Sequence, residues 1–266
     1  MKTFFVDAFT TAAFKGNPAG VCLSADAQDA ARMQDIAREF GFSETAFVHP
    51  GAQPGVYHIR YFSPKQEIPL CGHATLSAAK VIFRDHHETT LHFITGGHLD
   101  LLVRRKGEEI IMEFPVYQTT AATAPAEMLS ALGIDAVTNA RYNAENNIIM
   151  LEIGDTAKLA ALQPDFQALV QSYSGIAGVL VTAPAKDGNY DYHYRYFWPW
   201  AGTDEDPVTG AVQTFMANYW AEKLQQNSLR AFQSSSRTGA MQLEVKDDKV
   251  LLIAQAVIIL EGSLLI

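Results

Sequence analysis

With 266 residues, 48% of them hydrophobic, the chain is long enough to bury one large core or two smaller ones, which excludes a disordered protein. Only 18% of the residues are charged and the formal net charge is −9, so a phosphate backbone would meet a repulsive average field and we expect no nucleic-acid partner. Asp7 interrupts the first apolar stretch and no apolar run approaches the roughly 18 residues that span a bilayer, so we expect a soluble cytoplasmic protein with no membrane partner.

The first half of the chain alternates strand patterns with two helical ones. Apolar residues recur at helical spacing between Ala25 and Phe40, with Asp26 as the predicted N-cap and Gly41 as the residue that ends the helix. A second helix is predicted over about 74–84. Gly96 and Gly97 predict a hairpin between two strands. Alternating or β-branched runs predict strands at 2–7, 45–48, 57–62, 90–95, 98–104 and 109–114.

The second half resumes after residues 115–128, which contain Pro, Thr and Ala without a period and predict a linker. We therefore expect an N-terminal half over 1–118, which the C-terminal strand could join, and a C-terminal half over 119–266. A long helix is predicted from Val208 to about Leu224. Strands are predicted at 148–153, 178–182, 192–197, 241–245 and 249–260.

One motif occurs twice. Residues 60–64 read RYFSP and residues 195–199 read RYFWP, 135 positions later. Pro69 then precedes Gly72, and Pro207 precedes Gly210, by the same three residues, and a helical pattern follows each glycine. The spacing favours an internal duplication over chance, and predicts two similar halves that face each other.

The two glycine turns predict an anion-binding site. A turn that opens a helix presents unpaired backbone N–H groups and the positive end of the helix dipole. Neither turn is a Walker loop, and no strand-anchored GxGxxG is present, so a small carboxylate is a better ligand than a nucleotide phosphate. The candidate substrate-binding residues in these turns are Cys71, Gly72, Ala74, Thr209, Gly210 and Ala211.

Three groups that can move protons stand in or near the turns. They are Glu44 in GFSETAF, His73 and Asp206. A carboxylate in apolar company is suited to general base catalysis. Each residue also has a structural interpretation: Glu44 as a helix-capping carboxylate, His73 as a hydrogen-bonded residue of a first helical turn, and Asp206 as an N-cap. Spacing alone leaves both interpretations open.

Four motifs in order carry a resemblance to a known family. GNPAGV at 16–21, GFSETAFV at 41–48, IRYFSPKQEIPLCGHAT at 59–75 and EDPVTGA at 205–211 together resemble the phenazine-biosynthesis PhzF-like family, which is related to diaminopimelate epimerase. The resemblance implies an α/β (α+β) fold of two pseudo-symmetric halves, each a mixed sheet or barrel around a central helix, with the active site in the cleft between them. It also implies a cofactor-free isomerase and a possible homodimer.

Carried onto this chain residue by residue, the resemblance makes Glu44 the proton shuttle. His73 and Asp206 would support the substrate and its proton traffic, and Gly72 and Gly210 would offer backbone N–H groups to it. We therefore expect the catalytic residues to be Glu44, His73 and Asp206.

The cysteines bear on the type of chemistry. Epimerases of the related branch use two thiols, but here only Cys71 lies in a suitable turn, because the second turn has no cysteine and Cys22 lies in an apolar strand. A two-thiol racemase is therefore disfavoured. A single carboxylate base that removes a proton and returns it elsewhere on the same face supports a 1,3-type or allylic isomerisation of a small carboxylate.

Two other classes of function stay open. Cys71 and His73 could form a nucleophile and base of a hydrolase, although turn neighbours are not expected to align and no third orienting group is evident. Ala211 stands where the family often has Ser, which favours a binding protein that has kept the fold and lost its chemistry. No metal is expected, because His86 and His87 are adjacent rather than at ligand spacing, and the resemblance implies no cofactor.

Overall fold

The computed structural model describes residues 1–186 and 188–265, which form two compact units. Unit 1 comprises Met1–Glu113 and Leu251–Ile266, and unit 2 comprises Phe114–Val250. In the part of the chain that the structure describes, every helix is too short or too polar to cross a membrane.

Unit 1 surrounds one buried helix with strands. Its helices are α1 (Ala30–Phe40) and α2 (Gly72–Asp85). Its first strands, in chain order, are β1 (Lys2–Ala8), β2 (Asn17–Leu23), β3 (Thr45–Pro50), β4 (Val56–Phe62), β5 (Glu67–Ile68), β6 (Thr90–Thr95), β7 (Asp100–Lys106) and β8 (Glu109–Pro115).

The strand order of unit 1 requires both helices. β2 pairs in parallel with β3, and β4 pairs in parallel with β6, whereas β1–β2, β3–β4, β4–β5, β6–β7 and β7–β8 are antiparallel. Parallel neighbours need a crossover connection, which α1 supplies for the first pair and α2 for the second. Ten of the 14 residues of α2 are buried, and the helix packs on β1, β2 and β3. A helix that is apolar on most of its circumference is typical of a core position.

Unit 2 contains the remaining elements of the middle of the chain. Its helices are α3 (Ala126–Leu132), α4 (Thr156–Ala161), α5 (Phe166–Ser172) and α6 (Gln213–Leu224). Its strands are β9 (Thr120–Ala121), β10 (Asn139–Asn143), β11 (Ile148–Glu152), β12 (Gly178–Pro184), β13 (Tyr192–Trp198), β14 (Thr203–Asp206), β15 (Ser228–Gln233) and β16 (Gly239–Lys246).

Two strands complete the chain, β17 (Lys249–Ala254) and β18 (Ala256–Ser263). β18 pairs antiparallel with β1, from Ala8 opposite Ala256 to Lys2 opposite Ser263, so this strand belongs to unit 1. The sequence predicts one strand over 249–260, and the structure divides that range at Gln255.

The pairing pattern of unit 2 repeats that of unit 1. β10–β11 is antiparallel, β11–β12 parallel, β12–β13 and β13–β14 antiparallel, β13–β15 parallel and β15–β16 antiparallel. The helix between the second parallel pair is α6, where α2 stands in unit 1. The protein is therefore a mixed α+β fold of two halves with one strand order, as the repeated motif predicts.

The predicted start of α1 is wrong. The helix begins at Ala30, and Asp29 is its N-cap, accepting from the backbone N–H groups of Ala31 and Arg32 at 3.0 and 3.2 Å. Asp26 instead lies in a turn, where its carbonyl accepts from the Ser24 hydroxyl at 2.8 Å. The predicted end is confirmed, since Gly41 adopts a left-handed conformation with φ of 69°.

The predicted start of α6 is also wrong. The expected helix begins at Val208, whereas α6 begins at Gln213. The backbone before it is engaged elsewhere: the Thr209 N–H donates to the Gln233 side chain at 2.7 Å, and the Tyr194 hydroxyl donates to the Thr209 carbonyl at 3.0 Å. The N–H of Gln213 donates to the Gly210 carbonyl at 3.0 Å rather than to the Thr209 carbonyl that a helix from Val208 would use, so helical bonding starts only later.

Candidate active site

Three of the predicted site residues come together in unit 1. The Nε2 atom of His73 lies 3.2 Å from Oε2 of Glu44. The Cys71 thiol lies 3.3 Å from Nδ1 of His73 and 3.8 Å from the Glu44 carboxylate. All three residues are buried, with 8% of Glu44, 7% of Cys71 and 7% of His73 exposed.

Local structure explains how these side chains meet. Glu44 directly precedes β3, and its carbonyl accepts from the N–H of Gly20 at 3.3 Å, which ties it to the start of the β2–β3 pairing. Cys71 is the N-cap of α2, and Gly72, His73 and Ala74 are its first three residues. The N–H groups of a first helical turn have no partner within the helix. The carboxylate of Glu44 thus meets the imidazole of His73 at the N-terminus of α2, and does not cap α1.

The environment of His73 favours the neutral imidazole. Burial lowers the pKa of His73 below its ordinary value of 6.5, and the nearby charge of Glu44 only partly opposes that effect. A neutral ring that donates from Nε2 to the Glu44 carboxylate has Nδ1 left as an acceptor, which suits the Cys71 thiol as donor. The three groups then form one hydrogen-bonded chain, from thiol to imidazole to carboxylate.

This geometry corrects one sequence-based expectation. Cys71 and His73 were expected not to align, because neighbours in a turn seldom do. The N-cap position of Cys71 and the second helical position of His73 place the thiol and the ring side by side. Glu44 supplies the third, orienting group that the sequence did not reveal.

Three residues that the sequence analysis did not single out support the site. The Ser43 hydroxyl lies 3.4 Å from Nε2 of His73. The Thr75 hydroxyl donates to the Cys71 carbonyl at 2.7 Å, so the Tyr61 hydroxyl, 2.6 Å away, is left to donate to Thr75. Ser43, Tyr61 and Thr75 lie inside two of the four quoted motifs, and these motifs were the available signal.

The repeated motif has a structural role in each unit. Arg60 donates from Nε and Nη2 to both carboxylate oxygens of Glu67, at 2.7 and 2.6 Å. In unit 2, Arg195 forms the same bidentate pair with Glu205: Nε and Nη2 donate to the two carboxylate oxygens at 2.7 and 2.8 Å. Each pair joins the long strand to the short one after it, so the first residue of the motif holds the segment that leads into the glycine turn.

The unit 2 candidates form a group of their own. The Thr209 hydroxyl donates to the Asp206 carboxylate, and the Gln233 side chain donates to the Asp206 carbonyl at 2.6 Å. Asp206 is 9% exposed at the end of β14 and is not the N-cap of α6, which is Val212. Gly210 and Ala211 lie before α6, and their carbonyls accept from the N–H groups of Gln213 and Thr214. The N–H of Gly210 is therefore not part of a first helical turn, contrary to expectation.

The unit 1 cluster also has the composition of a metal-ligand set. One ligand atom each from Glu44, Cys71 and His73 lie within 4.8 Å of one another. Carboxylate, thiolate and imidazole are donors that zinc accepts in proteins. The same three groups therefore permit two uses, proton transfer or metal binding.

The comparison with known protein families shows which family this chain belongs to. The model of a family described as phenazine biosynthesis-like protein matches residues 6–262, nearly the whole chain. The chain belongs to this PhzF family.

Members of the PhzF family are similar to this chain over nearly their full length. An uncharacterized isomerase of Halalkalibacterium halodurans is 38% identical over 268 residues, covering 99% of this chain and 98% of that protein. Phenazine biosynthesis-like domain-containing protein 2 of Mus musculus is 36% identical and covers 99% of both. The crystal structure of a PhzF family protein of Enterococcus faecalis has a TM-score of 0.91 at 35% identity, covering 98% of this chain and 97% of that one.

Proposed function

We propose that this PhzF protein is an isomerase that moves a proton on a small carboxylate substrate, with Glu44 as the general acid and base and without a cofactor. The reaction class is supported by the full-length relative that is named an isomerase. The observation that carries the role of Glu44 is its buried contact with His73, 3.2 Å between Oε2 and Nε2, at the N-terminus of α2.

The proposed step uses only proton transfer. Glu44 takes a proton from a carbon of the substrate, and the electron pair of that C–H bond shifts into the adjacent π system. The same carboxyl group then returns the proton to a second carbon, so the product is an isomer. A positioned base contributes about 10²- to 10⁴-fold to such a rate.

His73 and the end of α2 have supporting roles in this proposal. The neutral imidazole donates a hydrogen bond to the Glu44 carboxylate and fixes its orientation. The N–H groups of Gly72 and His73, at the start of a 14-residue helix, suit the substrate carboxylate and the charge that develops on it. Asp206, Thr209, Gly210 and Ala211 stay predictions as supporting or substrate-binding residues, and the N–H of Gly210 lies outside the first turn of α6.

The test is proton exchange in D₂O. Small carboxylic acids (amino acids, hydroxy acids and cyclohexadiene acids) are incubated with wild-type protein and followed by proton NMR for loss or movement of a C–H signal. We expect Glu44→Gln to slow the exchange by about 10²- to 10⁴-fold. Glu39→Gln is the matched control, because Glu39 is an exposed glutamate on α1, and it should exchange at the wild-type rate.

A second candidate function follows from the Cys71–His73 contact. A thiol 3.3 Å from an imidazole that a carboxylate orients has the arrangement of a nucleophile with its base, as in a hydrolase. If Cys71→Ala or iodoacetamide abolishes turnover while Glu44→Gln, which removes only the orienting group, reduces it less, the thiol carries the chemistry. If compounds bind wild-type and Glu44→Gln equally and none is altered, the protein is a binder.

The metal alternative has its own control. Treatment with a chelator should leave the exchange rate unchanged if the three groups act in proton transfer. Loss of exchange on chelation, with recovery on adding Zn²⁺, would assign Glu44, Cys71 and His73 as ligands instead.

A further inference from the structure

A polar cavity in unit 2 has no part in the proposed reaction. Its volume is about 370 Å³, within the roughly 300–1,000 Å³ of small-molecule sites. It is lined by Tyr117, Gln118, Thr119, Asn139, Arg141, Phe215, Asn218, Tyr219, Glu222 and Lys223.

The lining comes from faces that the secondary structure brings together. Phe215, Asn218, Tyr219 and Glu222 follow at helical spacing and form one face of α6. Asn139 and Arg141 are two residues apart on β10, so both side chains lie on the same side of that strand. The segment 117–119 and Lys223 complete the lining.

Arg141 is held in a fixed orientation with donors to spare. Its Nε donates to the Thr119 hydroxyl at 3.1 Å, and its Nη2 donates to the Thr119 carbonyl at 2.6 Å. Its third nitrogen, Nη1, has no hydrogen-bond partner among residues 1–186 and 188–265. A guanidinium that is already oriented loses little conformational entropy when it binds an anion.

The buried carboxylate nearby is already neutralised by the protein. Glu152 is 2% exposed, and both of its oxygens accept from the Lys223 ammonium, while the Tyr219 hydroxyl donates to Oε2. Tyr219 in turn accepts from the Asn139 amide at 2.9 Å. The other carboxylate of the lining, Glu222, accepts from the Asn218 amide at 2.9 Å. Neither Glu152 nor Glu222 is paired with Arg141 in the described residues, so the guanidinium remains available to a ligand.

We propose that this cavity binds a small organic carboxylate, with the carboxylate on Nη1 of Arg141 and a short apolar body against the rings of Phe215 and Tyr219. The planar guanidinium matches a carboxylate, and the aromatic rings of Tyr117, Phe215 and Tyr219 form part of the lining. The net charge of −9 repels anions from the protein as a whole, so saturable binding here requires this built site.

The experiment reads the cavity directly. Protein labelled with 3-fluorotyrosine is titrated with benzoate and followed by ¹⁹F NMR, with the Tyr219 signal assigned through Tyr219→Phe. We expect a saturable shift of that signal in the wild type. Arg141→Gln should weaken binding about tenfold or more, the value of a hydrogen bond to a charged group.

Two further variants provide a matched control and a second test of the cavity. Arg230→Gln is the matched control, because Arg230 is a half-exposed arginine of unit 2 that pairs with Asp191 outside the cavity, and it should bind as the wild type does. If Arg141→Gln does not fold, Asn218→Phe fills the cavity from the surface of α6 and should abolish the shift.

Several outcomes would overturn the proposal. The Tyr219 signal could fail to move in the wild type, or move equally in Arg141→Gln or Asn218→Phe. Inorganic phosphate is titrated in parallel, and a shift with phosphate but none with benzoate would reject an organic carboxylate as the ligand.

Discussion

His73 illustrates how one buried side chain sets the character of the site. A histidine in water is half protonated near pH 6.5, but burial disfavours the charged ring. The adjacent Glu44 favours the charge and is the weaker effect. The result is a ring that serves as a neutral hydrogen-bond donor at neutral pH, rather than as an acid.

The same shift predicts how stability depends on pH. As pH falls below about 6.5, the unfolded chain takes up a proton at residue 73 that the folded protein does not, so the free energy of unfolding falls. The slope from this one group is at most about 1.4 kcal/mol per pH unit. The loss begins near the unfolded pKa and ends at the lowered folded pKa.

Urea unfolding at a series of pH values measures this slope. His73→Asn should unfold with a shallower dependence on pH than the wild type in that range. His87→Asn, at an exposed position, is the matched control and should keep the wild-type slope. Equal slopes in all three proteins would reject the account of His73 given above.

At the scale of an element, the apolar spacing of the sequence predicts where α1 ends but not where it begins. The apolar spacing correctly predicts a helix that ends at Gly41, but the N-cap is Asp29 and not the predicted Asp26. The choice depends on the turn at 24–28, whose hydrogen bonds use the Asp26 carbonyl. The spacing of apolar residues carries no information about such contacts, so it cannot identify the N-cap.

This difference gives a paired test. Asp29→Ala should destabilise the protein by about 0.5–2 kcal/mol, because two backbone N–H groups lose their acceptor. Asp26→Ala should change the stability by less than about 0.5 kcal/mol, since its side chain caps nothing. Chemical denaturation compares the two, and a larger effect at position 26 would restore the sequence-based choice.

Short elements mark the limit of prediction from the sequence. Helices α3, α4 and α5 have 7, 6 and 7 residues and were not predicted, because two turns carry too little periodicity to identify a helix. The start of α6 was misplaced for another reason, since Gln233 and Tyr194, distant in sequence, bind the backbone around Thr209.

At the scale of the whole molecule, the repeated motif predicted the architecture well. RYFxP marks β4 in one half and β13 in the other, and the strand pairings around them coincide. The grouping of Glu44, Cys71 and His73 could be only partly foreseen. Their motifs were identified, but the contact across 27 positions depends on how β3 meets α2.

The duplicated Arg–Glu pairs allow the two halves to be compared in one protein. The side chains of Arg60 and Glu67 are 33% and 38% exposed, whereas those of Arg195 and Glu205 are 9% and 16% exposed. An exposed pair contributes about 0–1 kcal/mol, because water screens it. Removing one partner of a buried pair costs about 3–5 kcal/mol, because the other charge stays buried.

We therefore expect Glu205→Gln to destabilise unit 2 by about 3 kcal/mol or more, and Glu67→Gln to cost unit 1 about 1 kcal/mol or less. The three tryptophans, Trp198, Trp200 and Trp220, all lie in unit 2, so their fluorescence follows the unfolding of that unit. Far-ultraviolet circular dichroism follows both units. In urea, Glu205→Gln should lower the midpoint of the fluorescence transition clearly more than Glu67→Gln lowers the midpoint of the circular dichroism transition. If Glu67→Gln has the same effect, burial does not distinguish the two copies, and the repeated arginine holds both short strands with equal strength.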